Sequence, residues 1–272
     1  VVLTDTSSSD PVTTTLCTSI NDKPIVSMAG MFYNSRTTNI DTSSFDTSDV
    51  TNMYRMFGNC SMLEGIDVSN FDTSNVTNMS SMFRACRSLT SLDLSSFDAS
   101  RVTTMQGMFM DCYKLSLIVL GSRNALQGSG SFVKASLPTP PSATTTGKWK
   151  NLDTDESSKT SNEVVDMGPD LNSNEQGTWI WEVKDTYGAI LFEGNGGSIS
   201  NPRVEQSGTF IAVSMVTAYR YGYELTGYNT EKDGTGTAYS MNDTIIPEAG
   251  TTKILYAQWR QLEKDVPYVV TS

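Results

Sequence analysis

Phe45, Phe71 and Phe97 recur at a constant spacing of 26 residues, and the chain around them repeats in step. Met53, Met79 and Met105 share one register. So do Met56, Met82 and Met108; Phe57, Phe83 and Phe109; and Cys60, Cys86 and Cys112. A unit this short cannot close a core alone, so it has to bury its apolar face against its neighbours. That requirement predicts a solenoid before any other property of the chain is considered.

Two apolar periods alternate inside each unit. Leu89, Leu92 and Leu94 read as a short strand, with Leu63, Ile66 and Val68 before it and Leu115, Ile118 and Leu120 after it. An Asp- and Ser-rich turn follows. Met79, Met82, Phe83 and Cys86 then fall at i, i+3, i+4 and i+7, which predicts one face of an amphipathic helix. Thr51, Thr77 and Thr103 stand where its N-cap would be. Strand, turn, short helix and turn make the arrangement of a leucine-rich repeat, and the fold class expected is a leucine-rich-repeat solenoid with a short strand and a short helix per unit.

The expected boundaries follow composition. Residues 1–135 form the solenoid, with an irregular first unit in which Met28, Met31 and Phe32 repeat the Met and Phe pattern. Residues 136–186 begin as a Pro/Ser/Thr linker, where Pro138, Pro140 and Pro141 exclude a helix interior or central strand. They continue as a small β segment with Trp149, Trp179 and Trp181; these read as a small core, with a sugar-binding platform as the alternative. Residues 187–260 read as mainly β, with turns at GNGG and at Asp233-Gly234, and 261–272 as a tail.

Composition narrows the chemistry. The net charge is -11 and there is no histidine among 272 residues. Nucleic acid is not an expected partner, because phosphate binding needs clustered Lys and Arg. Histidine triads and histidine metal sites are excluded, and no cofactor or metal is expected. No apolar run reaches the ~18 residues of a membrane span, so no direct membrane insertion is expected of this fragment. The chain opens at VVLTDTSSSDPV, which reads as a piece of a longer precursor whose signal and anchor lie elsewhere. The cysteine ladder admits neighbouring disulfides or buried free thiols. Helices packed ~8–10 Å apart would hold Cα atoms beyond the ~7 Å limit for a disulfide, so free thiols are expected.

The polar positions between the leucines are the candidate site. Asp41, Asp67 and Asp93 should project from the strand face, flanked by Ser69, Asn70, Ser95 and Ser96. They predict an acidic, hydroxyl-rich concave surface for a ligand. A solvated repeat face, or Asp residues that cap turn amides of the next coil, is the structural alternative. Asp46, Asp72 and Asp98 read as Asx-turn formers.

LDLSSFDASRVTTMQGMFMDCYKL and its neighbours resemble the BspA-type leucine-rich-repeat surface proteins, whose unit is LDLSxFDTSxVTxMxxMFxxCxxL, over roughly residues 25–121. GYNTEKDGTGTAY followed by ILYAQW resembles the Listeria–Bacteroides repeat, the B-repeat of internalins, with Tyr228 in place of the usual Trp. That resemblance implies a β-grasp-like module at the C-terminal end. Together the resemblances imply a secreted, wall-attached bacterial protein that adheres to a host extracellular matrix protein, a mucin or glycoprotein, or another microbe. They carry over no catalytic or binding residue, and no enzyme is expected. A structural stalk is the alternative. A glycosidase using paired Asp carboxylates is the remote one, because such a pair on an open face lacks the enclosure that raises an acid's pKa.

Overall fold

The computed structural model describes residues 12–13, 19–20, 23–123, 126, 134–154, 157–167, 171, 175–199, 203–216, 218–220 and 222–262. The chain divides into two units, Val1–Lys184 and Asp185–Ser272. Cys17 and most of the expected tail lie outside the described residues.

The first unit holds the repeats, and their long-period pairing is carried by the backbone. Ser27, Asn52, Asn78 and Thr104 form a run of parallel bridges. Met53, Arg55, Phe57 and Asn59 donate their N–H groups to the carbonyls of Asn78, Ser80, Met82 and Arg84 in the following repeat. Between them, Met56, Gly58 and Cys60 donate back within their own repeat, to Met53, Arg55 and Phe57. The same alternation recurs from Met79 to Cys86. Each stretch is a chain of overlapping tight turns, in which every second amide closes a turn and the others bind the neighbouring repeat.

This overturns the expected helix, and with it the leucine-rich-repeat solenoid of strand plus helix. A helix keeps every φ negative and bonds i to i−4. Here Arg55, Asn59, Ser81, Ala85 and Asp111 have φ of 53, 65, 56, 58 and 66°, and the local bonds span three residues. The i, i+3, i+4, i+7 pattern survives because the turns bury the same positions: Met79, Met82, Phe83 and Cys86 are all at most 1% exposed. The expected N-caps do something else. Thr51 donates both N–H and hydroxyl to the Val26 carbonyl, Thr77 to that of Thr51, and Thr103 to that of Thr77. Among the described residues α-helix is confined to Ser161–Val165, outside the repeats.

The interior is a set of side-chain ladders. Phe32, Phe57, Phe83 and Phe109 stack at centroid separations of 5.4, 5.4 and 6.0 Å. Phe45, Phe71 and Phe97 form a second stack at 6.3 and 6.4 Å. Buried polar groups also serve the repeat. Thr47 accepts from the Asp72 N–H and donates to its carbonyl, and Thr73 does the same with Asp98.

The last two repeats form regular strands. Ser91–Leu94 pairs in parallel with Leu117–Leu120. The free edge of Leu117–Leu120 is covered by the antiparallel strand Gly177–Val183, which in turn pairs with Thr145–Asn151. An uncovered edge is a template for unwanted pairing; here the Trp-rich segment closes it. Trp149 and Trp179 are fully buried and join the core of the repeats. Trp149 meets Trp181 edge-on at 6.3 Å and donates its indole N–H to Ser161. Buried rings of this kind offer no sugar-binding platform.

The second unit is a five-stranded mixed sheet. Its order is Arg203–Gln206, Gly188–Glu193, Thr252–Gln261, Tyr223–Asn229 and Ala238–Tyr239, with Gly188–Glu193 and Thr252–Gln261 parallel. Tyr228 is 1% exposed, stands edge-on to Phe192 at 5.0 Å and bonds the Val216 carbonyl through its hydroxyl. The segment 209–219, which fits either strand or helix by sequence, is two short strands around a 3₁₀ turn at Val213–Met215. The unit is mainly β as expected, and its first and last long strands, Gly188–Glu193 and Thr252–Gln261, lie parallel at the centre as in a β-grasp sheet; the residues between carry short two-stranded ribbons and the 3₁₀ turn, with no α-helix among the unit's described residues.

Candidate functional site

Each repeat presents polar side chains in rows, and local turn chemistry aims them. Asp41, Asp67 and Asp93 accept through Oδ1 from the N–H groups of Ser43, Ser69 and Ser95, each at 3.0 Å. These are Asx turns closed two residues on within the same repeat. The Asp side chains therefore cap turns. Asp41 and Asp67 are exposed and Asp93 is half-buried.

The flanking residues divide. The side chains of Ser69, Ser95 and Ser96 are exposed. Asn70 is exposed but committed: Nδ2 donates to the carbonyls of Thr42 and Phe45 in the preceding repeat at 3.0 and 3.1 Å. Thr42 donates its hydroxyl to the Asp67 carbonyl, which sets the first two Asp turns side by side. The Phe71–Phe97 stack fixes the next pair of repeats in the same way. All seven positions thus belong to equivalent turns of adjacent repeats.

A parallel row behaves as expected of Asx turns. Asp46, Asp72 and Asp98 accept from the amides of Ser48, Ser74 and Ser100 at 3.1, 2.9 and 2.9 Å. The carboxyls of Asp46 and Asp98 are held below their ordinary value, chiefly by hydrogen bonds from the hydroxyls of Ser48 and Ser100. Asp98 also pairs with Arg123 at 3.0 Å.

The cysteine row is a row of buried free thiols. Cys60, Cys86 and Cys112 donate S–H to the carbonyls of Phe32, Phe57 and Phe83 at 3.0, 3.1 and 3.0 Å. Burial pushes the thiols of Cys60 and Cys112 up to about 12 and that of Cys86 well above its ordinary value. A protonated, enclosed thiol is neither a nucleophile nor a metal ligand. Among the described residues no three His, Cys, Asp or Glu side chains are grouped to hold a metal ion.

One constellation escapes reading along the sequence. Arg55, Arg84 and Arg87, from two successive repeats, surround an open cavity on the turn face, beside Tyr33. No motif marks them, because they occupy different positions of the repeat. Only the missing side chain at Gly58, in register with Tyr33, Arg84 and Met110, could have drawn attention to the place.

Residues 15–120 match the family described as Mycoplasma protein of unknown function, DUF285. Residues 189–258 match the Listeria-Bacteroides repeat domain. No curated protein and no solved structure matches the chain. The two families are those of repeat domains in bacterial surface proteins, and they support an extracellular or cell-surface location. No helix among the described residues is long and apolar enough to cross a membrane.

Proposed function

We propose that this chain is the binding part of a bacterial surface adhesin, with a host extracellular matrix protein, a mucin or glycoprotein, or another microbe as its partner. The observation that carries this reading is the regular presentation of exposed carboxylates and hydroxyls. Asp41, Asp67, Ser69, Ser95 and Ser96 stand on Asx turns closed within their own repeats, and Thr42 and the Ser91–Leu94 strand tie these turns to neighbouring repeats. A fixed polar face loses little entropy on binding, because its side chains are already oriented. Its negative charge favours basic patches on a partner, with binding that weakens as salt rises.

The test is solid-phase binding of the full chain to immobilised matrix proteins and mucins. The double variant Asp67→Asn with Asp93→Asn removes two charges and keeps the oxygen each turn amide needs. Weaker, less salt-sensitive binding is expected. Unchanged binding would remove the Asp row from the proposal.

A structural spacer is the second reading, supported by Asn70 and the three Asx turns, whose bonds all serve the stack itself. Deleting one full period, Ile66–Ser91, separates the two readings. A spacer keeps full affinity per molecule after that deletion, and a recognition face loses it.

A further inference from the structure

The cavity bordered by Tyr33, Arg55, Gly58, Arg84 and Arg87 is out of character with the chain around it. The protein carries a net charge of -11, yet three of its arginines converge here and the lining holds one carboxylate, Asp111. That carboxylate is engaged at the rim, where Oδ1 accepts the hydroxyl of Tyr113 at 2.7 Å. Arg84 and Arg87 take part in none of the ion pairs among the described residues. Arg55 is held by rings instead, with its guanidinium 5.7 Å from the centroid of Tyr33 and 5.0 Å from that of Tyr54.

Gly58 shapes one wall of the cavity. Tyr33, Gly58, Arg84 and Met110 occupy one position of successive repeats, and Gly58 is the single member without a side chain. A Cβ there would come within 3.2 Å of both Arg55 Cβ and Tyr33 Cδ2. The cavity is therefore walled on this side by the Tyr33 ring and the Arg55 stem packed directly against the Gly58 backbone, with Arg84 and Arg87 also in its lining. Its volume, about 320 Å³, is at the lower end for small-molecule sites, which suits one or two sugar rings better than a polypeptide.

We propose that this cavity binds an acidic saccharide, a sugar ring bearing a carboxylate or sulfate. Arg84 and Arg87 take the oxyanion through paired N–H donors, the geometry that makes arginine suited to planar and tetrahedral oxyanions. Tyr33 supplies the flat apolar surface against which a sugar ring packs, and Arg55 fixes that ring by lying over it. The Asn59 amide is held in place at the cavity by its bond to the Asn34 Oδ1 at 2.7 Å. The inference rests on reading the chain as a binding module and names one ligand class for it.

The experiment is calorimetric titration of the full chain with three soluble probes: sialyllactose for the carboxylate, a heparin-derived tetrasaccharide for the sulfate, and lactose as the neutral reference. One or both acidic probes should bind and lactose should not. Arg84→Gln and Arg87→Gln should each weaken binding roughly tenfold or more, the usual worth of a charged hydrogen bond. Arg101→Gln makes the same change in net charge on an exposed arginine that bonds Asn75, and should leave binding unchanged. Failure of both acidic probes to bind at millimolar concentration overturns the proposal. So does binding that survives both cavity substitutions, or binding that Arg101→Gln weakens equally, since that reports only overall charge. A short poly-glutamate peptide that binds more tightly than either saccharide overturns the assignment to sugars. Saccharide binding that persists while adhesion to matrix proteins and mucins fails would sink the earlier proposal alone. Adhesion that persists without saccharide binding would sink this one alone.

Discussion

Replacing Thr73 with valine isolates what holds one repeat to the next. Thr73 is 1% exposed. Its hydroxyl donates to the Asp98 carbonyl at 3.1 Å and accepts from the Asp98 N–H at 2.7 Å. Valine has the same shape, so no cavity forms and packing is kept. Two backbone groups lose their partner, at about 1–3 kcal/mol each when water cannot replace it. Asp98 is half-buried, so part of that loss is recovered, and the extra methyl in the core returns up to about 1 kcal/mol. The net loss is expected near 2 kcal/mol. For a unit of this size that lowers the melting temperature by roughly 4–8 °C. Tryptophan fluorescence during thermal unfolding is a suitable assay, because Trp149, Trp179 and Trp181 all lie in the first unit and Trp259 in the second. Thr73→Ser keeps both bonds and loses one methyl, about 1 kcal/mol, so it should be the milder change. If valine matches or exceeds the parent chain, or serine is worse than valine, the bridging hydroxyl is not what joins the repeats.

Gly107→Ala should cost about 1 kcal/mol through strain at φ +63° with no crowding, since the nearest heavy atom to the new Cβ is 3.6 Å away; Ser81→Gly, at the equivalent position with φ 56°, should leave stability within ~0.5 kcal/mol or raise it. Gly121→Ala places a Cβ 2.1 Å from the Ser95 carbonyl oxygen, a backbone clash expected to cost about 3 kcal/mol or more, read by urea denaturation. Cys60 and Cys112 should resist iodoacetamide at pH 8, reacting about a thousandfold more slowly than in urea, because their thiolate fraction falls in step with a rise from 9.0 to about 12; peptide mass mapping reads this site by site. The raised thiols also set an alkaline limit. They contribute full stability below the unfolded value of 9.0 and lose it as pH climbs through 9 toward 12, so the melting temperature should fall over that interval. A Cys60→Ala variant should show a shallower fall.

The period and the buried set were legible in the sequence because identity at a fixed spacing reports a shared environment whatever the backbone does. The helix was not. Apolar residues at i, i+3, i+4 and i+7 satisfy both a helix and a run of tight turns, and hydrophobicity alone cannot separate them. The distinguishing signal lay in the polar positions between them. Gly30 and Gly107 stand at one register, and Asn34, Asn59 and Asp111 at another. These are residue types that enter the left-handed region readily, and both registers have positive φ throughout. Thr51, Thr77 and Thr103 looked like caps because a hydroxyl before an apolar run satisfies a helix start; here the same hydroxyls reach the preceding repeat. Of the candidate site, the exposure of Asp41, Asp67 and the serines followed from the pattern. Turn capping was the structural alternative in the sequence; that the capped amide lies two residues on in the same repeat, and not in the next, needed the backbone. The arginine cavity depends on residues that differ between repeats, and a reading built on what recurs passes over them.

The strand Gly177–Val183 lies across the edge of Leu117–Leu120 and recognises it through main-chain groups and a few apolar side chains. Any repeat that ends in a similar strand could meet that lid equally well. An in-frame duplication or loss of one repeat upstream would leave the final junction untouched. A gain or loss of whole repeats would therefore lengthen or shorten the array without disturbing its closing sheet. The distance over which the polar rows extend becomes a heritable variable, adjusted in whole steps while the closing sheet stays the same.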